Sequence, residues 1–200
     1  QAGRASVRER DLPAHVVVYY VIALALYMRS SYREVLRCLL EGVQWLLDPS
    51  VSIKVAGKSG ISQARSRLGP EPVKALYEEV VKPIAQAQTK GAWYRQWRLM
   101  SLDGSTLDVA DTVDNEQAFG RPGSSRGQSA FPKIRFVALR ENGTHVLCAA
   151  RMDKYATDEL TLAEDVIPAL QKGMLCMADR FFPSYKLWRM AAKTEADLLW

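Results

Sequence analysis

Arg98-Leu99-Met100-Ser101-Leu102-Asp103-Gly104-Ser105-Thr106 and Gly173-Met174-Leu175-Cys176-Met177-Ala178-Asp179-Arg180 decide the fold of this chain. In each stretch a short apolar run ends in an aspartate beside a small or basic residue. Apolar runs of this length, bounded by breakers, read as buried strands. A carboxylate at the end of a buried strand is costly unless it pairs, hydrogen-bonds or binds a cation. Taken singly, Asp103 or Asp179 reads as a turn residue or a helix cap. Brought together by a sheet, the two make a magnesium or manganese site. The order of the elements around them decides between these readings.

Working outward from Asp103, Trp97 to Asp108 reads as one strand. Asp111 to Phe131 is rich in Gly, Ser, Pro and Asn and reads as a long loop, a length that is usually functional or mobile. Its Arg121 and Arg126, with the glycine amides around them, suit phosphate groups; a plain surface loop is the other reading. Lys133 to Arg140 and Thr144 to Met152 are apolar-rich strands joined by Glu141-Asn142-Gly143-Thr144, where Asn-Gly is a strong hairpin signal. Thr157 is the expected cap of a helix over Asp158 to Leu170. Met174 to Ala178 is the second carboxylate strand, followed by a helix over Pro183 to Thr194 and a strand starting at Leu198.

The second half therefore runs strand, strand, strand, helix, strand, helix, strand. That order is the ribonuclease H-like topology, whose acidic residues sit on the first strand and at the end of the fourth. Asp103 and Asp179 occupy those places. Asp108, Asp111 and Asp114 read as loop and turn carboxylates. On one extended strand the odd separation of Asp103 and Asp108 also puts them on opposite faces. Arg180 either contacts a nearby phosphate or forms an ordinary ion pair at the strand end.

The first half differs in character. Val16 to Met28 is almost continuously apolar and reads as a buried helix starting near Pro13; it is shorter than the roughly 20 residues of a membrane span. Ser31-Tyr32-Arg33-Glu34 has capping-box spacing. The helix it opens faces Val35, Leu36, Leu39 and Leu40 inward and Arg33 and Arg37 outward, with Gly42 as a break or kink and Asp48-Pro49-Ser50 as a turn. Ser59 to Leu68 reads as a short helix stopped by Gly69-Pro70. Its Gln63, Arg65 and Arg67, with Lys58 at its start, are the polar chemistry that reads base edges and phosphates. A solvated amphipathic helix is the competing reading. Glu71 to Gln88 continues as a helix, and Lys90-Gly91 places a boundary near residue 92. The fold class is thus α+β, with a helical, DNA-binding domain over 1–92 and an incomplete ribonuclease H-like α/β domain over 93–200.

Charge supports that division. Residues 1–92 carry 13 Lys+Arg against 8 Asp+Glu, and residues 93–200 carry 14 against 14, so the net +5 of the chain lies in the first half. Nucleic acid is the natural partner of such an asymmetry. The three cysteines, Cys38, Cys148 and Cys176, are odd in number and widely spaced, which argues against a disulfide framework and for a reducing compartment. With no CxxC and only His15 and His145, neither a Cys/His zinc site nor a histidine triad has its material.

The stretch from about Leu12 to Trp200 resembles a DDE-class insertion-element transposase of the insertion-sequence-four group. The likeness rests on Leu102-Asp103-Gly104-Ser105-Thr106-Leu107-Asp108-Val109, on Phe119-Gly120-Arg121-Pro122-Gly123-Ser124-Ser125-Arg126-Gly127, and on Ala178-Asp179-Arg180-Phe181-Phe182 with Tyr185-Lys186-Leu187-Trp188. The resemblance implies metal-dependent DNA strand cleavage and strand transfer, with two Mg2+ or Mn2+ ions held by two aspartates and a glutamate. Asp103 matches the first aspartate and Asp179 the second. The glutamate belongs to a later Tyr-Arg-Glu-Lys signature, and no residue here is assigned to it; the stop at Asp197-Leu198-Leu199-Trp200 reads as a fragment or truncated frame. The resemblance also implies double-stranded DNA as partner, both element ends and target, a homodimer on that DNA, no membrane, and a cytoplasmic place of work. A truncated transposase that occupies element ends without cutting is the alternative.

Overall fold

The computed structural model describes residues 12–47, 56–124 and 127–200. The expected turn at Asp48-Pro49-Ser50 and the expected phosphate ligand Arg126 lie outside the described residues. The chain divides into two compact units, Gln1–Val80 and Val81–Trp200.

The first unit contains α1 (Ala14–Leu26), α2 (Tyr32–Leu47), α3 (Lys58–Leu68) and α4 (Glu71–Val80). Ser31 Oγ accepts from the Glu34 amide at 3.2 Å, so the hydroxyl half of the capping box forms. Val35, Leu36 and Leu40 of α2 are buried with Val17, Tyr20, Ile61, Ala64 and Leu68. On the outer side of α2, Arg37 bridges Glu34 and Glu41. Gly42 neither breaks nor ends α2, which runs on to Leu47. The apolar α1 is not buried all round as its sequence suggests. It buries Val17, Tyr20 and Ala23 and leaves Tyr19, Ile22 and Leu26 exposed, because only one of its sides meets α2 and α3.

Helix α4 stops at Val80, eight residues before the expected Gln88. Pro83 has no amide hydrogen and biases Lys82 away from helical geometry. The amides that follow are used elsewhere: Ile84 and Ala85 donate to the buried carboxylate of Glu141 at 3.0 and 2.9 Å. Residues 81–92 therefore group with the second unit, and the division falls earlier than residue 92.

The second unit contains β1 (Trp93–Tyr94), β2 (Trp97–Asp108), α5 (Val113–Phe119), β3 (Gly123–Ser124), β4 (Gly127–Gln128), β5 (Lys133–Glu141), β6 (Leu147–Lys154), α6 (Glu159–Val166), β7 (Met174–Ala178), α7 (Tyr185–Ala192) and β8 (Asp197–Leu199). The main sheet has the order β6-β5-β2-β7-β8, with β1 also paired to β2. Strand β2 is antiparallel to β5 and parallel to β7; β5 is antiparallel to β6, and β7 parallel to β8. One face of this sheet buries Met100, Leu102, Val137, Leu139 and Cys176 against Leu162, Val166, Ile167, Phe182 and Leu187. Burial pushes the Cys176 thiol up to about 11, as for an inert core cysteine.

Three local expectations are refined. The cap of α6 is Asp158, which accepts from the Leu160 amide, while Thr157 donates to Asp153. Helix α6 ends at Val166 and a 3-10 turn follows over Ile167–Ala169, because Pro168 lacks the donor that another α-turn needs. The Asn142-Gly143 turn is wider than a two-residue hairpin, since β6 begins only at Leu147.

Gly143 has a structural reason. Its φ is +84°, and an added Cβ would lie 2.5 Å from the Lys90 carbonyl oxygen and 2.8 Å from the Ala92 nitrogen. Both are backbone atoms that cannot swing aside. Gly143→Ala is expected to destabilise the second unit by about 2–4 kcal/mol, the sum of left-handed strain and overpacking. Denaturant unfolding measures this, and an unchanged midpoint would show that the turn has another conformation.

Candidate functional site

Strand β2 carries Asp103 because its alternation is regular. Met100 and Leu102 point into the core, so Ser101, Asp103 and Ser105 share the other face. Strand β7 runs parallel beside it, and the last paired rank is Leu102 with Ala178. Asp103 and Asp179 are each the next residue. Neighbouring strands lie about 4.8 Å apart, so the register sets the two aspartates at one level of the sheet, Asp103 within β2 and Asp179 just past the end of the parallel β7. Both are exposed, and both line one open cleft of ≈ 570 Å³ with Ser101, Ser105, Ala138 and Arg140.

Backbone amides orient both carboxylates. Asp103 Oδ1 accepts from the Gly104 amide at 2.8 Å, and Asp179 Oδ1 accepts from the Phe181 amide at 2.8 Å. The second oxygen of each has no hydrogen-bond partner among the described residues. Two hard carboxylate oxygens fit magnesium or manganese and do not suit zinc, which favours nitrogen and sulfur. No group of three or more His, Cys, Asp or Glu able to hold a metal occurs among the described residues. Asp108 pairs with Lys133, Asp111 pairs with Arg121, and Asp114 lies in the first turn of α5.

The basic residues fall into different situations. Lys58, Gln63, Arg65 and Arg67 are exposed on α3, whose opposite face buries Ile61, Ala64 and Leu68. The Arg65 guanidinium stands 5.2 Å from the centre of the Tyr32 ring. Arg180 is exposed in the turn that follows Asp179. Arg121 has an internal role that its sequence context does not announce. It donates to the carbonyls of Ser129 and Ala130 at 3.0 and 2.6 Å, and it pairs with Asp111 and Glu116 at 2.5 and 3.2 Å. These carboxylates raise the pKa of its guanidinium, the Glu116 hydrogen bond first. Arg121 thereby ties together a stretch read as structureless, which in fact holds α5, capped by Thr112, and the β3–β4 pair. The signal for α5 was present in Thr112 followed by Asp114 and Glu116.

Two further residues escape a sequence reading. Arg140 pairs in register with Ser101 and is the one cation among the cleft's lining residues. Gly104 lets the Glu159 side chain approach the strand next to Asp103, since a Cβ there would meet Glu159 Oε2 at 2.6 Å.

Comparison with known proteins finds transposases. Residues 1–78 match the family model for the insertion element 4 transposase N-terminal region. The chain is 26% identical over 188 residues to InsZ of Escherichia coli (strain K12), a protein assigned as a transposase; the match covers 93% of this chain and 60% of InsZ. It is also 26% identical over 199 residues to transposase InsG for insertion sequence element IS4 of the same organism, covering 96% of this chain and 43% of InsG. The chain thus spans roughly half the length of these relatives.

Proposed function

Since this chain is similar along nearly its whole length to two transposases, one of them for insertion sequence element IS4, we propose that it acts in DNA transposition, through metal-dependent strand cleavage and strand transfer at the Asp103–Asp179 cleft. The observation that carries this reading is that the two aspartates directly follow the last paired rank of β2 and β7, Leu102 with Ala178, and line one cleft. The sheet is ribonuclease H-like in this reading, supported by the order β6-β5-β2-β7-β8 with the first three strands antiparallel and the last two parallel to β2.

Asp103 and Asp179 are the residues to hold Mg2+ or Mn2+. When bound, such ions supply an activated nucleophile and relief of charge on the leaving oxygen of a phosphodiester. The chain's own part is to orient each carboxylate through a backbone amide and to present an open cleft to the strand. Arg180 lies beside Asp179, where a phosphate must pass. Two aspartates give few fixed oxygens, and magnesium with so few depends on substrate phosphates to complete its shell. That favours DNA binding without detectable cleavage by these 200 residues alone. Strand nicking with magnesium or manganese tests the reading.

The first unit is the duplex-binding part in this reading, because α3 leaves Lys58, Gln63, Arg65 and Arg67 exposed around the face that it buries. Arg65→Ala and Arg67→Ala are each expected to weaken duplex binding and to reduce the salt slope by about 1. Anisotropy titrations at several salt concentrations measure this. Slopes equal to the parent's would place the phosphate contacts on another element.

A further inference from the structure

Phe181 and Tyr185 are the two most exposed aromatic side chains among the described residues, at 75% and 79%. Both follow Asp179 within six residues. We propose that this segment is a stacking platform for an unpaired nucleobase of a DNA strand held at the Asp103–Asp179 cleft. The inference rests on the reading of that cleft as a site of DNA strand cleavage.

The geometry fixes the platform to the site. The Phe181 amide donates to Asp179 Oδ1 at 2.8 Å, and the Phe182 amide donates to the Asp179 carbonyl at 3.2 Å. Phe182 is buried in the core and anchors the turn, while its neighbour Phe181 stands in water. Ser184 Oγ accepts from the Leu187 amide at 3.2 Å and sets the start of α7, so Tyr185 projects from the first residue of a capped helix. The Arg189 guanidinium lies 5.5 Å from the centre of the Tyr185 ring.

The chemistry selects the ligand. From Arg180 to Lys193 the segment carries Arg180, Lys186, Arg189 and Lys193 and no carboxylate, which suits a phosphate backbone. Lys186 is paired with Glu164, whereas Arg180 and Arg189 are exposed. A phenyl ring has no donor or acceptor with which to read a base edge, so Phe181 recognises a nucleobase only through its face. In an intact duplex that face is hidden by stacking. Aromatic rings beside cations are the way proteins hold single strands, and each stacked base contributes enough that alanine replacement is readily measured.

The test uses the full chain, a single-stranded oligonucleotide carrying 2-aminopurine, and the same sequence as a duplex, at one fixed salt concentration. Phe181→Ala and Tyr185→Ala are each expected to weaken single-strand binding by about five- to a hundredfold and to relieve quenching of the 2-aminopurine. Duplex affinity should stay within about twofold, a margin of a few tenths of a kcal/mol. Phe181→Trp should restore single-strand binding, and both side chains are exposed, so the fold tolerates the changes. Parent-like single-strand affinity in the double alanine variant overturns the inference, as does an equal loss on duplex and single strand. If the parent chain binds neither form of DNA, the proposed function itself fails. If duplex binding persists and the double variant holds single strands as the parent does, only the stacking platform fails.

Discussion

Asp103→Ala and Asp179→Ala are each expected to lower metal-dependent strand nicking by roughly a hundredfold or more in a polypeptide that contains this chain and cleaves DNA. The magnitude follows from positioning: in such chemistry a misplacement of about 1 Å costs that much. The two aspartates follow the last paired rank of β2 and β7 and line one cleft, and each carboxylate accepts one backbone amide. Removing either side chain removes one of the two carboxylates that line the cleft. Duplex affinity, carried by α3 in this account, should survive both changes. Nicking of supercoiled DNA with Mg2+ or Mn2+, scored beside a binding titration, separates the two effects. Robust nicking that persists in Asp179→Ala would mean that the catalytic residues lie elsewhere.

Glu141→Ala should be the most destabilising single change in the second unit. Glu141 is fully buried, and its carboxylate gathers the Arg98 guanidinium, the Thr144 hydroxyl and the amides of Ile84 and Ala85. Arg98 in turn lies 4.6 Å from the centre of the Trp93 ring. This one side chain fastens residues 84–85 and the β1–β2 entrance to the end of β5. Breaking a buried pair by removing one partner costs about 3–5 kcal/mol, because the groups left behind are unpaired. Burial by itself raises the pKa of such a carboxyl, but the hydrogen bonds from Thr144, Ile84, Ala85 and Arg98 outweigh it, and the group sits below its ordinary value of 4.5. A depressed folded-state pKa gives stability that is complete above the unfolded value and is lost as pH falls through the folded one. The stability gap between the parent and Glu141→Gln should therefore be full at neutral pH and shrink below pH 4.5. Urea unfolding of both proteins across that range measures the gap. A gap that does not change with pH would mean that folding leaves the Glu141 pKa where it is in the unfolded chain.

These residues show what a sequence reveals and what it hides. Asp103 and Asp179 were legible because each ends a short apolar run, and because the order of hairpin, helix and strand restricts how those runs assemble. The register that aligns Leu102 with Ala178 then follows from burying Met100, Leu102 and Cys176 on one face. Glu141 was not legible. It sits beside Asn142-Gly143, where a glutamate looks like an ordinary turn residue, and its partners Ile84 and Ala85 are 57 and 56 positions away. For the same reason residues 81–88 looked helical: local propensity gives no hint that their amides are claimed by a distant carboxylate. Arg121 is the converse case. A basic residue among glycines looks free for phosphate, yet it is used to hold its own loop. Arg140 reaches the cleft only through strand pairing, which no local pattern encodes.

The central claim is that Asp103 and Asp179 share a divalent cation. It is tested most directly by anomalous diffraction from crystals of the chain grown with DNA and Mn2+. The account predicts an anomalous peak at about 2.0–2.2 Å, close to the magnesium bonding distance, from one carboxylate oxygen of each aspartate. A manganese site that touches neither Asp103 nor Asp179 would contradict it.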